Sequence, residues 1–221
     1  MRSTRLRARR GLGRRRGAPS EWEHSRAPVE DVLAIQGISV KPYPCCGHTF
    51  AVIDAVLELR SAGLRSDDVE SVDVSTYRTA IEVAGIPAPR TVAERRFSIS
   101  YLAATALVTG EVSESTIVVP EVPPEVASLM TRICLRVGDE FEAAFPQRRG
   151  ASIELSDRSG SEWSQRVPDR SGSPQNPLTA ERIDNKFLDA TREVLGDRAP
   201  SLLAEVRGLR EMSSVLGLSL H

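Results

Sequence analysis

The sequence predicts an α+β protein: a two-layer sandwich of about four or five strands in a mixed or antiparallel sheet with helices, followed by a C-terminal helical hairpin. Three observations predict it. Short stretches alternate apolar and polar side chains at the strand period of two, longer stretches between them repeat at the helical period, and the chain beyond Pro177 carries helical periodicity alone.

The elements follow in order. Ile35 to Val40 reads as a short strand that delivers Lys41, and Cys46 to Ala62 as a helix closed by Gly63 at the C′ position. Within that helix Phe50, Ile53, Val56 and Leu57 recur on one face. Val69 to Tyr77 alternates Val72, Val74 and Thr76 against Asp73 and Ser75, the pattern of a half-buried strand. Thr79 to Arg96 contains Gly85, Pro87 and Pro89 and reads as an irregular loop with short helical turns. Ser98 to Thr109 reads as a helix with Ser98 as N-cap and Gly110 as its stop. After Pro120 and Pro123, Glu125 to Arg132 predicts a short helix with Pro124 near its first turn, and Ile133 to Val137 a strand in which Cys134 is buried. Ala151 to Leu155 and Glu162 to Val167 predict a β-hairpin with Ile153, Leu155, Trp163 and Val167 on one face. Thr179 is the expected N-cap of a helix whose stripe runs through Ile183, Phe187, Ala190 and Val194 to Gly196, and Pro200 starts the last helix.

Length and composition bound the function. A chain of 221 residues with 40% hydrophobic residues is long enough for a packed core. No apolar run reaches the roughly 20 residues needed to cross a bilayer, so no membrane partner is expected and the cytoplasm is the default compartment. Three cysteines, two of them adjacent, do not make a disulfide framework. The first sixteen residues carry eight arginines and no acid; taking those eight from the 29 basic residues leaves 21 against 30 acidic ones, so the body of the chain is acidic. An acidic body argues against a nucleic-acid partner. Residues 1–30 are expected to be disordered. An arginine arm for nucleic acid or membrane surfaces and an organelle transit peptide are two interpretations; an arbitrary translation start or truncated gene is the favoured one.

The densest chemistry lies in KPYPCCGHTF, Lys41 to Phe50. Pro42 and Pro44 favour extended backbone at Lys41 and Tyr43, and alternation then aims those two side chains the same way. Cys46 to Thr49 fall at or near a helix N-terminus, where unpaired N–H groups and the macrodipole favour an anion. Lys41 is the leading catalytic candidate, because an ammonium there can pair with a carboxylate; a solvated lysine at a strand end is the plain alternative. His48 is the second, as a proton acceptor or donor, against a role as cap or surface residue. Cys46 is the third, a thiol at a helix start or a small core residue. Tyr43, Ser98 and Tyr101 are candidate substrate-binding hydroxyls, each equally suited to packing or capping. Zinc is not expected: Cys45, Cys46 and His48 lack the spacing and the fourth ligand of a structural site.

Three motifs in order carry a family resemblance. KPYPCCGHTFAVIDAVLELR resembles the lysine-proline-cysteine segment of the MmgE/PrpD family, the 2-methylcitrate dehydratase group. Arg96 to Ala104 is similar to its Phe-Ser-x-x-Tyr-x-x-Ala helix start, and Gln175 to Thr179 resembles its Asn-Pro-Leu-Thr helix entry. The resemblance covers about Val32 to the C-terminus. It implies residues 31–168 as the family's α+β lid domain and residues 169–221 as a loop and helical hairpin left from its all-helical domain, the rest of which, with family catalytic residues, has no counterpart here. It further implies cofactor-independent proton abstraction α to a carboxylate in a hydroxy-polycarboxylate, with Lys41 holding the carboxylate, His48 moving a proton and no metal. Cys46 stands where decarboxylase-like members have histidine, which leans away from that activity. The implied partners are a small polycarboxylate and either a second copy or a separate helical half. The alternative is a catalytically silent lid domain that serves at most as a binding or assembly module.

Overall fold

A computed structural model describes residues 34–209; the expected disordered segment 1–30 and the end of the expected hairpin, 210–221, lie outside the described residues. The chain divides into two units, Met1–Gly37 and Ile38–His221. Of the first, the described part is a 3-10 turn, Ala34–Gly37.

The second unit holds the remaining elements. Helix α1 spans Phe50–Ser61, strand β1 Val69–Thr76, α2 Arg78–Ala84, α3 Val92–Arg95 and α4 Ile99–Thr109. Then come α5 at Glu114–Ile117, α6 at Pro124–Met130, β2 at Ile133–Val137, α7 at Asp139–Ala144, β3 at Ala151–Asp157 and β4 at Glu162–Val167. Helices α8, Ala180–Leu195, and α9, Ala199–Arg207, complete the described chain. The four strands form one mixed sheet in the order β2-β1-β3-β4. β1 and β2 run parallel, joined by the long crossover through α2 to α6, and the other two pairings are antiparallel. This is the expected α+β class, with the C-terminal helices after it.

The sheet is two-faced because its strands alternate, with one break in β1 at the irregularity between Val69 and Ser71. Val72, Val74, Ile153, Leu155 and Val167 point into the core, while Ser71, Glu154, Ser164 and Arg166 lie on the open face. α1 lies on β3 and β4, and α4 lies beside α1 and against α6. Both helices are apolar nearly all round and buried along most of their length, as helices enclosed by other elements must be. Ser98 caps α4 by accepting from the Tyr101 N–H, and Gly110 ends it in the left-handed region. α8 carries its apolar residues on one side but buries none of them fully; Ile183 and Val194 stay exposed.

Four expectations need correction. Ile35 to Val40 is not a strand: its one ladder-like contact is the Val40 N–H to the Gly172 carbonyl, at 2.8 Å, and the prolines at 42 and 44 have no N–H to extend a ladder. α1 begins at Phe50 rather than Cys46, because Cys46 to Thr49 first make a turn closed by Thr49 N–H and hydroxyl on the Cys46 carbonyl. Cys134 is exposed, since Ile133, Leu135 and Val137 face inward and alternation turns Cys134 outward. Lys41 and Tyr43 do not point the same way: Lys41 is exposed and Tyr43 is 6% exposed.

The β3–β4 turn is organised by one acid. Asp157, 7% exposed, accepts from the Ser159 hydroxyl, the Trp163 indole N–H and the backbone N–H groups of Ser159 and Ser161 at 2.5 to 3.0 Å. Those bonds, the Ser159 hydroxyl first, hold its pKa down at about 2, below the ordinary 3.8. The unfolded chain therefore binds more protons between those values, and the stabilisation is present above about pH 4 and lost as pH falls toward 2. Urea unfolding followed across that window should show the wild type losing stability on acidification, with Asp157→Asn less stable at neutral pH and flatter in its pH dependence.

Candidate functional site

One end of the sheet gathers the chemistry. The register aligns Thr76 with Ala151 and Ala151 with Val167, so the residues after β1, before β3 and after β4 emerge side by side. Tyr77 leaves the first strand, Phe145 and Arg149 precede the second, and Arg170 follows the third. The turn before α1 brings Cys46, Gly47 and His48 to the same place.

His48 is the centre of this cluster. Its Nδ1 lies 2.7 Å from the Tyr77 hydroxyl, and the two rings are 5.6 Å apart. Tyr77 is buried and stacks on Phe145 at 4.6 Å, and Arg149 lies over the Phe145 ring at 5.8 Å. Arg170 lies over the Phe50 ring at 5.5 Å and donates to the Gly47 carbonyl at 2.6 Å. A Cβ on Gly47 would fall 2.5 Å from Nη1 of Arg170, so glycine at 47 is what lets the guanidinium sit there. Neither Arg149 nor Arg170 has a carboxylate partner among the described residues, whereas seven other arginines are ion-paired. Two half-buried guanidinium groups close enough to repel each other, facing an imidazole and a phenol, form a site complementary to an anion.

The electrostatics agree with the geometry. Burial pushes the His48 pKa below 6.5 and Arg149 and Arg170 push it further, so at neutral pH the imidazole is uncharged and free to accept a proton. Burial raises Tyr77 to about 12, so it remains a phenol. Cys46 is buried and near enough to act electrostatically on both Tyr77 and Arg170. Cys45 is a different kind of thiol: burial raises it to about 11, and its Sγ lies 3.3 Å from the Thr49 hydroxyl.

His48 and Cys46 therefore share this cluster. Lys41 stands beside Cys45, with Nζ donating to the Cys45 carbonyl at 3.2 Å, and among the described residues it shares no hydrogen-bond partner with His48. The other three hydroxyls have internal partners. Tyr43 donates to Asp54 at 2.7 Å, Ser98 donates to the Ile86 carbonyl at 2.6 Å while capping α4, and fully buried Tyr101 donates to the Thr116 carbonyl at 3.0 Å. Tyr77, Arg149 and Arg170 were not foreseen from sequence. Arg149 is directly followed by Gly150 and Arg170 is two residues before Gly172, at the ends of the hairpin; that placement was the available signal, but only the register shows that both meet His48.

The site is tied down from behind by Asp54 on α1. Its two carboxylate oxygens accept the Tyr43 hydroxyl and the Ser171 N–H, both at 2.7 Å, joining the turn before α1 to the loop after β4. Among the described residues no group of three or more His, Cys, Asp or Glu side chains is gathered to hold a metal ion. No helix among them is long and apolar enough to cross a membrane.

These features define an α+β domain with cations assembled at one end of a mixed sheet. Residues 43–209 match the MmgE/PrpD C-terminal domain, most of the chain, and the protein belongs to the MmgE/PrpD family. None of the curated proteins compared with it matches.

Two outcomes follow from the geometry. Asp54→Ala leaves two buried donors unpaired and should cost about 2–4 kcal/mol in urea unfolding. In an NMR pH titration His48 should titrate below the ordinary histidine range, and Arg170→Gln should move it upward by removing one of the neighbouring charges.

Proposed function

We propose that this domain binds a polycarboxylate substrate at the His48, Tyr77, Arg149 and Arg170 cluster and contributes the lid side of a cofactor-independent lyase or isomerase site, of the 2-methylcitrate dehydratase type. The observation that carries the proposal is the pair of unneutralised guanidinium groups converging on an uncharged imidazole. One substrate carboxylate takes the place of the missing counter-charge. Burial lowers the His48 pKa first and the two arginines lower it further; the carboxylate's arrival offsets the arginines' share, so the imidazole becomes a better base when substrate is present. His48 then removes the proton α to a second carboxylate. The electron pair moves into that carboxylate as an enediolate, stabilised by the cations, and on its return expels the β-hydroxyl, which leaves as water after protonation. Tyr77, bonded to His48, relays that proton with Cys46 beside it. Lys41, on the exposed flank of the same turn, takes a further carboxylate as substrate closes the site, while Tyr43 holds the turn in place through Asp54.

The reaction needs a partner surface: residues 31–168 act as the lid, and the helices within 169–221 dock on a helical half, from a second copy or another chain, in the cytoplasm. Exposed Ile183, Val194 and Val206 support that docking.

A second function, binding or assembly without turnover, is favoured by the internal partners of Tyr43, Ser98 and Tyr101 and by the separate neighbours of Lys41 and His48. Citrate binding measured by calorimetry, with product formation followed in the presence of a family helical half, separates the two. The enzyme proposal expects citrate binding that weakens about 10–100-fold in Arg149→Gln/Arg170→Gln, and dehydration of 2-methylcitrate that Lys41→Ala or His48→Ala abolishes. Binding without turnover would leave the silent module, and binding unchanged in the double arginine variant would overturn the site.

A further inference from the structure

Helix α8 begins with a residue that its local position does not favour. Thr179 caps the helix by accepting the Arg182 N–H at 3.2 Å, which fixes Arg182 as the third helical residue. A capping box has an acid or amide at that place, and a cation there faces the positive end of the helix dipole. A residue set against its local preference points to a tertiary contact. Among the described residues Arg182 is in no ion pair.

The contact is with the clamp around Asp54. Arg182 is exposed, yet its guanidinium turns back to the body: Nη1 lies 3.5 Å from the hydroxyl of Ser171, whose N–H is bonded to Asp54. Arg182 and Tyr43 also line one cleft of about 630 Å³, with Pro42 and Leu57 on the side of the body and Lys186 and Ala190 on the side of α8. Burial raises the Tyr43 pKa first and Asp54 raises it further, while the charge of Arg182 opposes both, so the guanidinium is within electrostatic reach of the phenol. Tyr43 and Ser171 are the two donors to the buried carboxylate, and Arg182 stands behind each of them. A buried acid held by neutral donors is costly, and a cation behind those donors polarises them toward it.

Arg182 is also tied to the rest of the hairpin. Arg207 of α9 donates to Asp184 at 2.9 Å and to the Ala180 carbonyl at 3.2 Å, which joins the first turn of α8 to the end of α9. On the other side of the clamp, Ser171 directly follows Arg170, and Tyr43 precedes the turn that presents Cys46 and His48.

We infer that Arg182 is a positioning residue: it ties the helical hairpin to the Tyr43–Asp54–Ser171 clamp and makes the placing of Arg170 and His48 depend on where α8 sits. Its role in catalysis rests on the reading of the His48 cluster as the substrate site, and it gives the docking of α8 on a helical half a route to that site.

The test is amide hydrogen exchange and an NMR pH titration of His48, both on the full chain without ligand. In Arg182→Gln the Ser171 amide should exchange about tenfold faster than in the wild type, because its bond to Asp54 opens more often. The Ser161 amide, bonded to Asp157 at the far end of the sheet, should keep its rate. His48 faces Tyr77, Arg149 and Arg170, and its pKa should move upward in the same variant as Arg170 is held less firmly beside it. Arg182→Lys keeps the charge without the fork and should fall between the two, whereas Lys186→Gln, on the same cleft wall, should match the wild type. Equal acceleration at Ser171 and Ser161 would mean a general loosening and overturn the inference, as would an unchanged Ser171 amide whether or not His48 moves. Citrate takes no part, so a failure here leaves the substrate proposal standing, and a failure of citrate to bind leaves the link between α8 and the clamp standing.

Discussion

The carboxylate of Asp54 is the constraint on which the candidate site depends. It is buried within the first eight residues of α1, which are otherwise apolar, and it is tolerated there because both oxygens accept a hydrogen bond. The two donors come from segments 128 residues apart in sequence, Tyr43 and Ser171. One acid therefore fixes both the turn that presents Cys46 and His48 and the loop that presents Arg170. The backbone adds a second tie where Val40 N–H meets the Gly172 carbonyl. A Cβ at Gly172 would run into the Val40 carbonyl, and its φ of +79° is one that L side chains rarely adopt, so glycine is required for this tie on two counts.

The sheet explains why this chemistry collects at one of its ends rather than on its face. β1 is central, paired with β2 on one side and β3 on the other, so every loop at a given end must pass close to its terminus. At one terminus Tyr77 meets the segments carrying Phe145, Arg149 and Arg170. At the other, Val69 lies opposite Asp157, and the turn around Asp157 delivers Arg158 beside Ser66 and Asp67. The open face between them is occupied by short polar side chains and ion pairs such as Arg136 with Asp73 and Arg166 with Glu140, which neutralise themselves. Cations without counter-charges occur where loops converge, and that is where a ligand can supply what the protein does not.

Much of the fold was legible because its signals are local. Ser98 before an apolar run and Gly110 after it define α4, and the alternation of Ile133, Leu135 and Val137 defines β2. The same alternation, carried one residue further, would have placed Cys134 outside. The short helices α5 and α7 were passed over, although Ser113 and Thr116 form a capping box and Asp139 and Glu140 stand in the first turn of α7. The site was legible in part. His48 and Cys46 could be chosen because residue type and helix-start position suffice to nominate them. Arg149 and Arg170 could not, because an arginine one or two residues from a glycine is ordinary in sequence and acquires meaning only when strand register brings it against an imidazole. Lys41 and Tyr43 illustrate the opposite failure: backbone alternation predicted a shared direction, and a single buried acceptor, Asp54, overrode it.

The manner in which Arg149 and Arg170 are held bears on what the site can do. A guanidinium fixed by a carboxylate has already spent its charge, and a ligand must compete with that pair. Here Arg170 is held by the Phe50 ring and the Gly47 carbonyl, and Arg149 by the Phe145 ring, interactions that orient the group while leaving its positive charge uncompensated. The repulsion between them is a cost that the proposed substrate carboxylate would relieve. The same relief would act on His48, whose proton affinity is lowered first by burial and further by those charges, and it would lift only the second part. In the proposed reaction, anion capture and the readiness of the imidazole to take a proton are thereby linked through one electrostatic field.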